Sequence, residues 1–156
     1  MKVRDIAVLI LSVLVCLGVG AFGSAVTAAS VAEWYPTLAK PWFTPPGWIF
    51  GPVWTALYVM MGVAVFLVWR RGEGRAPALW AFAVQLALNA LWSPAFFGMR
   101  SVAAGMIVIA LLLPAIAVTT VLFFRRSKAA GVLMLPYLTW TSFATVLNAA
   151  LLSMNS

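Results

Sequence analysis

The sequence has no histidine, one cysteine and three acidic residues, Asp5, Glu33 and Glu73. Each shortage removes a class of chemistry. Without histidine there is no Ser-His-Asp or Cys-His nucleophile machinery and no imidazole ligand for a haem iron. Metal sites assembled from histidine, cysteine and carboxylate lose most of their donors, so no metal site is expected. Cys16 has no partner for a disulfide within the chain and reports nothing about redox compartment. In its apolar surroundings it reads as a small packing residue. All three acids lie outside the long apolar runs, so the chain lacks the intramembrane Asp, Glu or His from which proton relays are built.

What is present is apolar. Hydrophobic residues make up 65% of the chain and charged ones 8%, against about 25% charged in an ordinary globular domain. Residues 6–32, 41–69, 76–99, 101–124 and 129–156 carry no Asp, Glu, Lys or Arg. A helix needs roughly 20 apolar residues to cross a bilayer core, and lipid leaves only helices and closed barrels as spanning structures. The runs lack the alternation of barrel strands. The expected fold is an all-α membrane protein, a five-transmembrane-helix bundle forming one domain over 1–156. Its helices are expected at about 6–28, 46–69, 78–98, 102–124 and 129–153.

Five spans put the termini on opposite sides. The N-terminal side collects Lys2, Arg4, Arg70, Arg71, Arg75, Arg125, Arg126 and Lys128, and the other side only Lys40 and Arg100. The positive-inside rule then places the N-terminus in the cytoplasm, with the C-terminus and the helix 1–2 loop outside. The net charge of +7 is read as a topology signal and an anchor for anionic lipid headgroups. Its scatter over three juxtamembrane clusters argues against nucleic acid. The first run begins like a signal peptide, but it exceeds the usual 7–15-residue apolar region and is read as a membrane helix. A multi-pass, bacterial membrane protein is expected, with inner or outer membrane left open.

One connection is long, at about 29–45. With helix 2's entry it forms "EWYPTLAKPWFTPPGWIFGPVW", residues 33–54, which contains Trp34, Trp42, Trp48 and Trp54 and five prolines. Loops of this length are usually functional or disordered, and an aromatic, nearly uncharged one is not disordered by composition. Thr44 is expected to cap helix 2 and Pro45 to be its first residue. The prolines stiffen the loop into a lid. Pro52, Pro94, Pro114 and Pro136 fall in or near spans, where they can kink helices.

The remaining polar groups are neutral and fall in stripes. Gln85, Asn89 and Ser93 recur at i, i+4 spacing on helix 3, beside Trp92. Tyr137, Thr141 and Asn148 share a face of helix 5 with Trp140 nearby, and Trp54 and Tyr58 are i, i+4 neighbours on helix 2. Aromatic faces with a few hydrogen-bonding groups suit a large, flat, apolar ligand. The plainer alternative is interhelical bonding, at about 0.6 kcal/mol per polar contact, and interfacial belts of tryptophan. The belt fits Trp42, Trp69 and Trp80 better than the deeper Trp54, Trp92 and Trp140. Ala83 and Ala87 on helix 3 could allow close approach in a homodimer, and Gly18, Gly20 and Gly23 on helix 1 could do so within the monomer.

Three stretches carry a family likeness. "WYPTLAKPWFTPPGWIFGPVW", "QLALNALWSPAFFG" and "LPYLTWTSFATVLN" resemble, in order, the first loop with helix 2 entry, the third helix and the fifth helix of the translocator protein family. That family includes the tryptophan-rich sensory proteins and peripheral-type benzodiazepine receptors. The resemblance implies a five-helix bundle, commonly a homodimer, with a pocket under the first loop for porphyrins and benzodiazepine-type ligands. Tyr35, Trp54, Asn89 and Trp140 then look like ligand contacts, and Ala144 like a small residue beside the pocket. Trp54 and Trp140 match tryptophans implicated in porphyrin breakdown by some members. The sterol stretch of animal members is not matched: Ala149 stands where its tyrosine would be, with no Lys or Arg following, so high-affinity sterol binding is not expected.

The combined expectation is a membrane receptor or sensor for tetrapyrroles, with protoporphyrin IX or haem as ligand and no obligatory cofactor. Its site would comprise Tyr35, Lys40, Trp54, Tyr58, Gln85, Asn89, Trp92, Tyr137, Trp140 and Ala144. One or both of Lys40 and Arg100 would pair with porphyrin carboxylates. Two alternatives stand beside it. One is light-driven oxidative degradation of porphyrin with Trp54 and Trp140 as the catalytic side chains, and the other is passive tetrapyrrole transport.

Overall fold

The computed structural model describes residues 1–156. It contains five helices, α1 (Val3–Glu33), α2 (Gly47–Trp69), α3 (Ala76–Ser93), α4 (Val102–Arg126) and α5 (Lys128–Met154), and no strand. All five are long and apolar enough to span a membrane. The bundle expected from the sequence is therefore the fold observed. Around the bundle the helices follow the order α1, α2, α5, α4, α3, with α3 returning to α1. In this ring α4 packs most extensively, against α5 and α3.

Local chemistry sets the helix ends. The Ser101 and Ser127 hydroxyls accept from the amides of Ala104 (3.1 Å) and Ala130 (3.3 Å), capping α4 and α5. Between α2 and α3, Gly72 and Gly74 adopt φ of +73° and +74°, a conformation that costs glycine little. The helix 2 entry differs from expectation. Pro46, not Thr44, is the cap, and α2 begins at Gly47. A residue before proline is driven out of helical geometry, so Pro46 prevents Pro45 from opening the helix. The Thr44 hydroxyl instead donates to the Pro41 carbonyl at 2.8 Å. Helix 1 also runs further than expected, to Glu33, and the connection shortens to residues 34–46, including a 3-10 turn at Tyr35–Thr37. Helix 3 gives way at Ser93 to a π-helical turn, Pro94–Gly98, closed by Met99 N–H to Pro94 O at 2.8 Å.

The two ends of the bundle are built differently. Toward the basic end the core is continuous, with Met61, Ala64, Val68, Phe123, Ala130 and Met134 all buried. Toward the lid a smaller cluster centres on Phe96, Val102, Leu147 and Leu151. Helix α1 is the least buried, with only Cys16 and Ser30 enclosed. It touches α2 most closely at Gly62, whose carbonyl accepts from the Ser12 hydroxyl at 3.0 Å. A Cβ there would lie 2.5 Å from the Val13 Cα. Backbone cannot yield as a side-chain tip can. Gly62→Ala should push α1 away and destabilise the protein by about 1–3 kcal/mol, read as a lower thermal midpoint in detergent; an unchanged midpoint would contradict this packing.

Candidate ligand-binding site

A cavity of about 710 Å³ opens in the lid half of the bundle. Its floor is a buried polar chain that joins three helices. The Tyr58 hydroxyl donates to Asn89 Oδ1 at 2.6 Å, Asn89 Nδ2 donates to the Tyr137 hydroxyl at 2.7 Å, and Tyr137 donates to Gln85 Oε1 at 2.7 Å. Gln85 Nε2 reaches Met61 Sδ at 3.9 Å, a weak acceptor. Every polar group in this chain finds a partner, as burial away from water demands.

Aromatic rings form the walls. Trp54 packs on Tyr58 and Tyr137 with centroids 5.6 and 6.3 Å apart. Trp92 stacks on Phe96 at 5.0 Å, and its indole N–H donates to Asn148 Oδ1 at 3.3 Å. Trp140 meets Phe50 edge-on at 5.9 Å. Its indole Nε1 and the Thr141 hydroxyl are buried without hydrogen-bond partners. Offset and edge contacts of this kind are favourable by about 0.5–1.5 kcal/mol each beyond burial.

The lid closes the top. Lys40 Nζ sits 4.6 Å from the Tyr35 ring centroid and donates to the Leu38 carbonyl at 3.1 Å. Burial raises the Tyr35 phenol above its ordinary pKa. Asn155, at the end of α5, grips the lid backbone: its Oδ1 accepts from the Ala39 amide and its Nδ2 donates to the Ala39 carbonyl, both at 2.9 Å. The end of α1 is fixed by Ser30 Oγ to Phe97 O at 2.5 Å and by Glu33 to Arg100 at 2.7 Å. Arg100 adopts φ +49°, a left-handed geometry that costs a non-glycine residue about 1–2 kcal/mol.

Of the residues singled out by sequence, Tyr35, Lys40, Trp54, Tyr58, Asn89, Trp92, Trp140 and Ala144 line this one cavity. Gln85 and Tyr137 do not: both are 0% exposed and lie beneath the floor, where they hold Asn89. Arg100 is not at the cavity either, and its guanidinium is engaged by Glu33. Trp42 and Trp80, 95% and 72% exposed, stand on the surface as belt tryptophans would. Sequence reasoning read the α1 glycines as points of close approach but not as a cavity wall. Gly20 and Gly23 admit Tyr58 and Ser93 so closely that a Cβ would meet them at 2.7 and 3.1 Å. Their spacing with Ser24 and Thr27 marks one helix face and was the available signal.

The cavity under a proline-rich lid, the buried Asn on α3 and the tryptophans on α2 and α5 coincide with a sequence match. The TspO/MBR family profile covers residues 12–154. The chain belongs to this family. Family relatives align over nearly the whole molecule. The tryptophan-rich protein TspO of Archaeoglobus fulgidus is 43% identical, covering 97% of this chain and 99% of its own. That of Chlorobaculum tepidum is 44% identical over 97% and 98%. The translocator protein of Homo sapiens is 41% identical, covering 74% of this chain and 71% of its own. Membership agrees with the multi-pass membrane character of the five helices and supports a receptor or sensory role.

Asn89 holds the floor of this TspO/MBR bundle together. Replacing it with leucine leaves two buried phenols short of partners. Asn89→Leu should lower stability by about 1–3 kcal/mol, seen as a fall in thermal midpoint, whereas a midpoint equal to wild type would show that the polar chain holds nothing.

Proposed function

We propose that the protein is a membrane receptor or sensor for porphyrins and related flat tetrapyrroles, bound in the cavity beneath the lid. The observation that carries this reading is the single cavity walled by Trp54, Trp92 and Trp140, with Lys40 at its rim. Its volume falls in the range of about 300–1,000 Å³ typical of small-molecule sites. Indole faces would stack on the macrocycle, and Lys40 would pair with one carboxylate. Protoporphyrin IX or haem fits that chemistry. Arg100 takes no part, because it does not line the cavity and Glu33 holds its guanidinium.

The positive-inside bias places the lid and C-terminus outside and the basic end in the cytoplasm. A homodimer through α3 is also proposed. Trp80, Val84 and Leu91 are exposed on that helix, and Ala83 and Ala87 are exposed between them, where small side chains let backbones approach.

A second reading, light-driven oxidation of the bound tetrapyrrole by dioxygen, is favoured by the contact of Trp54 with Tyr58 and Tyr137, a chain of oxidisable rings. It requires that light-dependent loss of porphyrin absorbance stop in Trp54→Phe and Trp140→Phe; loss persisting in both would remove it.

Protoporphyrin IX titrated against the protein by tryptophan quenching tests the receptor reading. Trp140→Phe should weaken binding about threefold to tenfold. Lys40→Gln should weaken it about fivefold to tenfold while leaving a neutral porphyrin ester within about twofold. Saturable quenching absent from the wild type would refute the reading, and equal losses for both ligands in Lys40→Gln would refute the carboxylate contact.

A further inference from the structure

The cavity is fastened at its top and open at its side. The lid is held by the paired Asn155–Ala39 bonds, and the end of α1 by the Ser30–Phe97 and Glu33–Arg100 contacts. The side facing α1 and α2 has no such fastening. Cavity residues contributed by α3, α4 and α5 are buried or half-buried. The exposed ones all lie on α1 and α2, among them Ala21 and Ser24 on α1 and Gly47, Gly51 and Thr55 on α2.

The spacing between these two helices changes along their length. Near the basic end they press together at Gly62, which has no room for a Cβ against Val13. At Gly47 and Gly51 an added Cβ would meet nothing within 4 Å. The Ser12–Gly62 bond is the one side-chain hydrogen bond between the two helices. Pro52 lies within the open stretch and leaves the Trp48 carbonyl without its intrahelical donor. The helices thus form a wedge, joined below and parted above.

The opening falls within the apolar span of α2. Thr55 is about 12 Å along α2 from Gly47 at 1.5 Å per residue, well inside a hydrocarbon layer of about 30 Å. The Thr55 hydroxyl is turned back onto the Gly51 carbonyl at 2.8 Å, so it presents no unsatisfied donor to lipid, where such groups are costly.

We infer that this slot is a lateral portal through which ligand enters from the bilayer rather than past the lid. The inference rests on the cavity being a ligand pocket and adds what kind of ligand reaches it: an amphiphile that first partitions into the membrane. The lid then serves as a fixed roof.

Gly51→Phe tests this, since the open space at Gly51 lets the ring fill the slot without disturbing the core. In nanodiscs preloaded with protoporphyrin IX, stopped-flow tryptophan quenching should show association and dissociation both slowed about tenfold, the signature of an obstructed path. Asn155→Ala, which unfastens the lid, should change neither rate. A tenfold acceleration in Asn155→Ala with Gly51→Phe matching wild type would overturn the portal in favour of entry past the lid.

Bromododecane dissolved in the same nanodiscs gives a second readout independent of any porphyrin. It should quench the fluorescence component that Trp54→Phe removes, and Gly51→Phe should abolish that quenching. If protoporphyrin IX fails to bind while this pattern holds, the receptor reading fails and the portal stands. If the quenching is the same in Gly51→Phe and wild type, the portal fails.

Discussion

Asn89 is the residue on which the arrangement depends. Inside a membrane, apolar burial does not choose between helix faces, because lipid tails are as apolar as leucine. Orientation has to come from close packing and from hydrogen bonds. Asn89 supplies the latter for three helices at once, accepting from Tyr58 on α2 and donating to Tyr137 on α5 while itself sitting on α3. Gln85 completes the chain one turn further along. With those faces fixed, Trp54, Trp92 and Trp140 are carried to the same side of the floor, and the space between them becomes one cavity.

The same chain divides the bundle. On its basic side, side chains fill the interior continuously. On its lid side the wall is made of rings whose planes are set by neighbours, with the middle left open. Proline contributes to this division. It lies inside α2, α4 and α5 and opens the π-helical turn after α3, so four of the helices that line the hollow half lose a regular backbone hydrogen bond. Irregular backbone of this kind is tolerated in a membrane where it borders a cavity or protein.

Much of this was legible in the sequence because the signals were categorical. Charge-free runs separated by basic clusters specify five spans with little competition. Stripes at i, i+4 identify a face and so gathered Trp54, Tyr58, Asn89 and Trp92. A stripe gives direction around a helix but not depth along it relative to a cavity of limited height. That is why Gln85 and Tyr137 read as walls although they lie beneath the floor. Arg100 was misjudged for a related reason: its charge was visible, but its proximity to Glu33, far away in sequence, was not. The α2 start failed on a local rule that was available, since the second proline of Pro45-Pro46 bars the first from helical geometry. Helix α1 gave the weakest signal because its contribution is made by what its residues lack, side chains at Gly20 and Gly23 that would collide with the opposite wall.

The three cavity tryptophans are not held alike. Trp92 is held by a stack on Phe96 and a hydrogen bond to Asn148, which is itself bonded to the Val102 carbonyl at 3.1 Å. Trp54 is braced by two phenols that the floor immobilises. Trp140 has ring contacts with Phe50 and Phe143 but no partner for its indole N–H. It also borders a second apolar groove, between α2 and α5. A buried donor without an acceptor costs about 1–3 kcal/mol, and a ligand acceptor reaching that nitrogen would relieve it. Trp54 and Trp92 are thus held against hydrogen-bonded neighbours, while Trp140 is held by ring contacts alone.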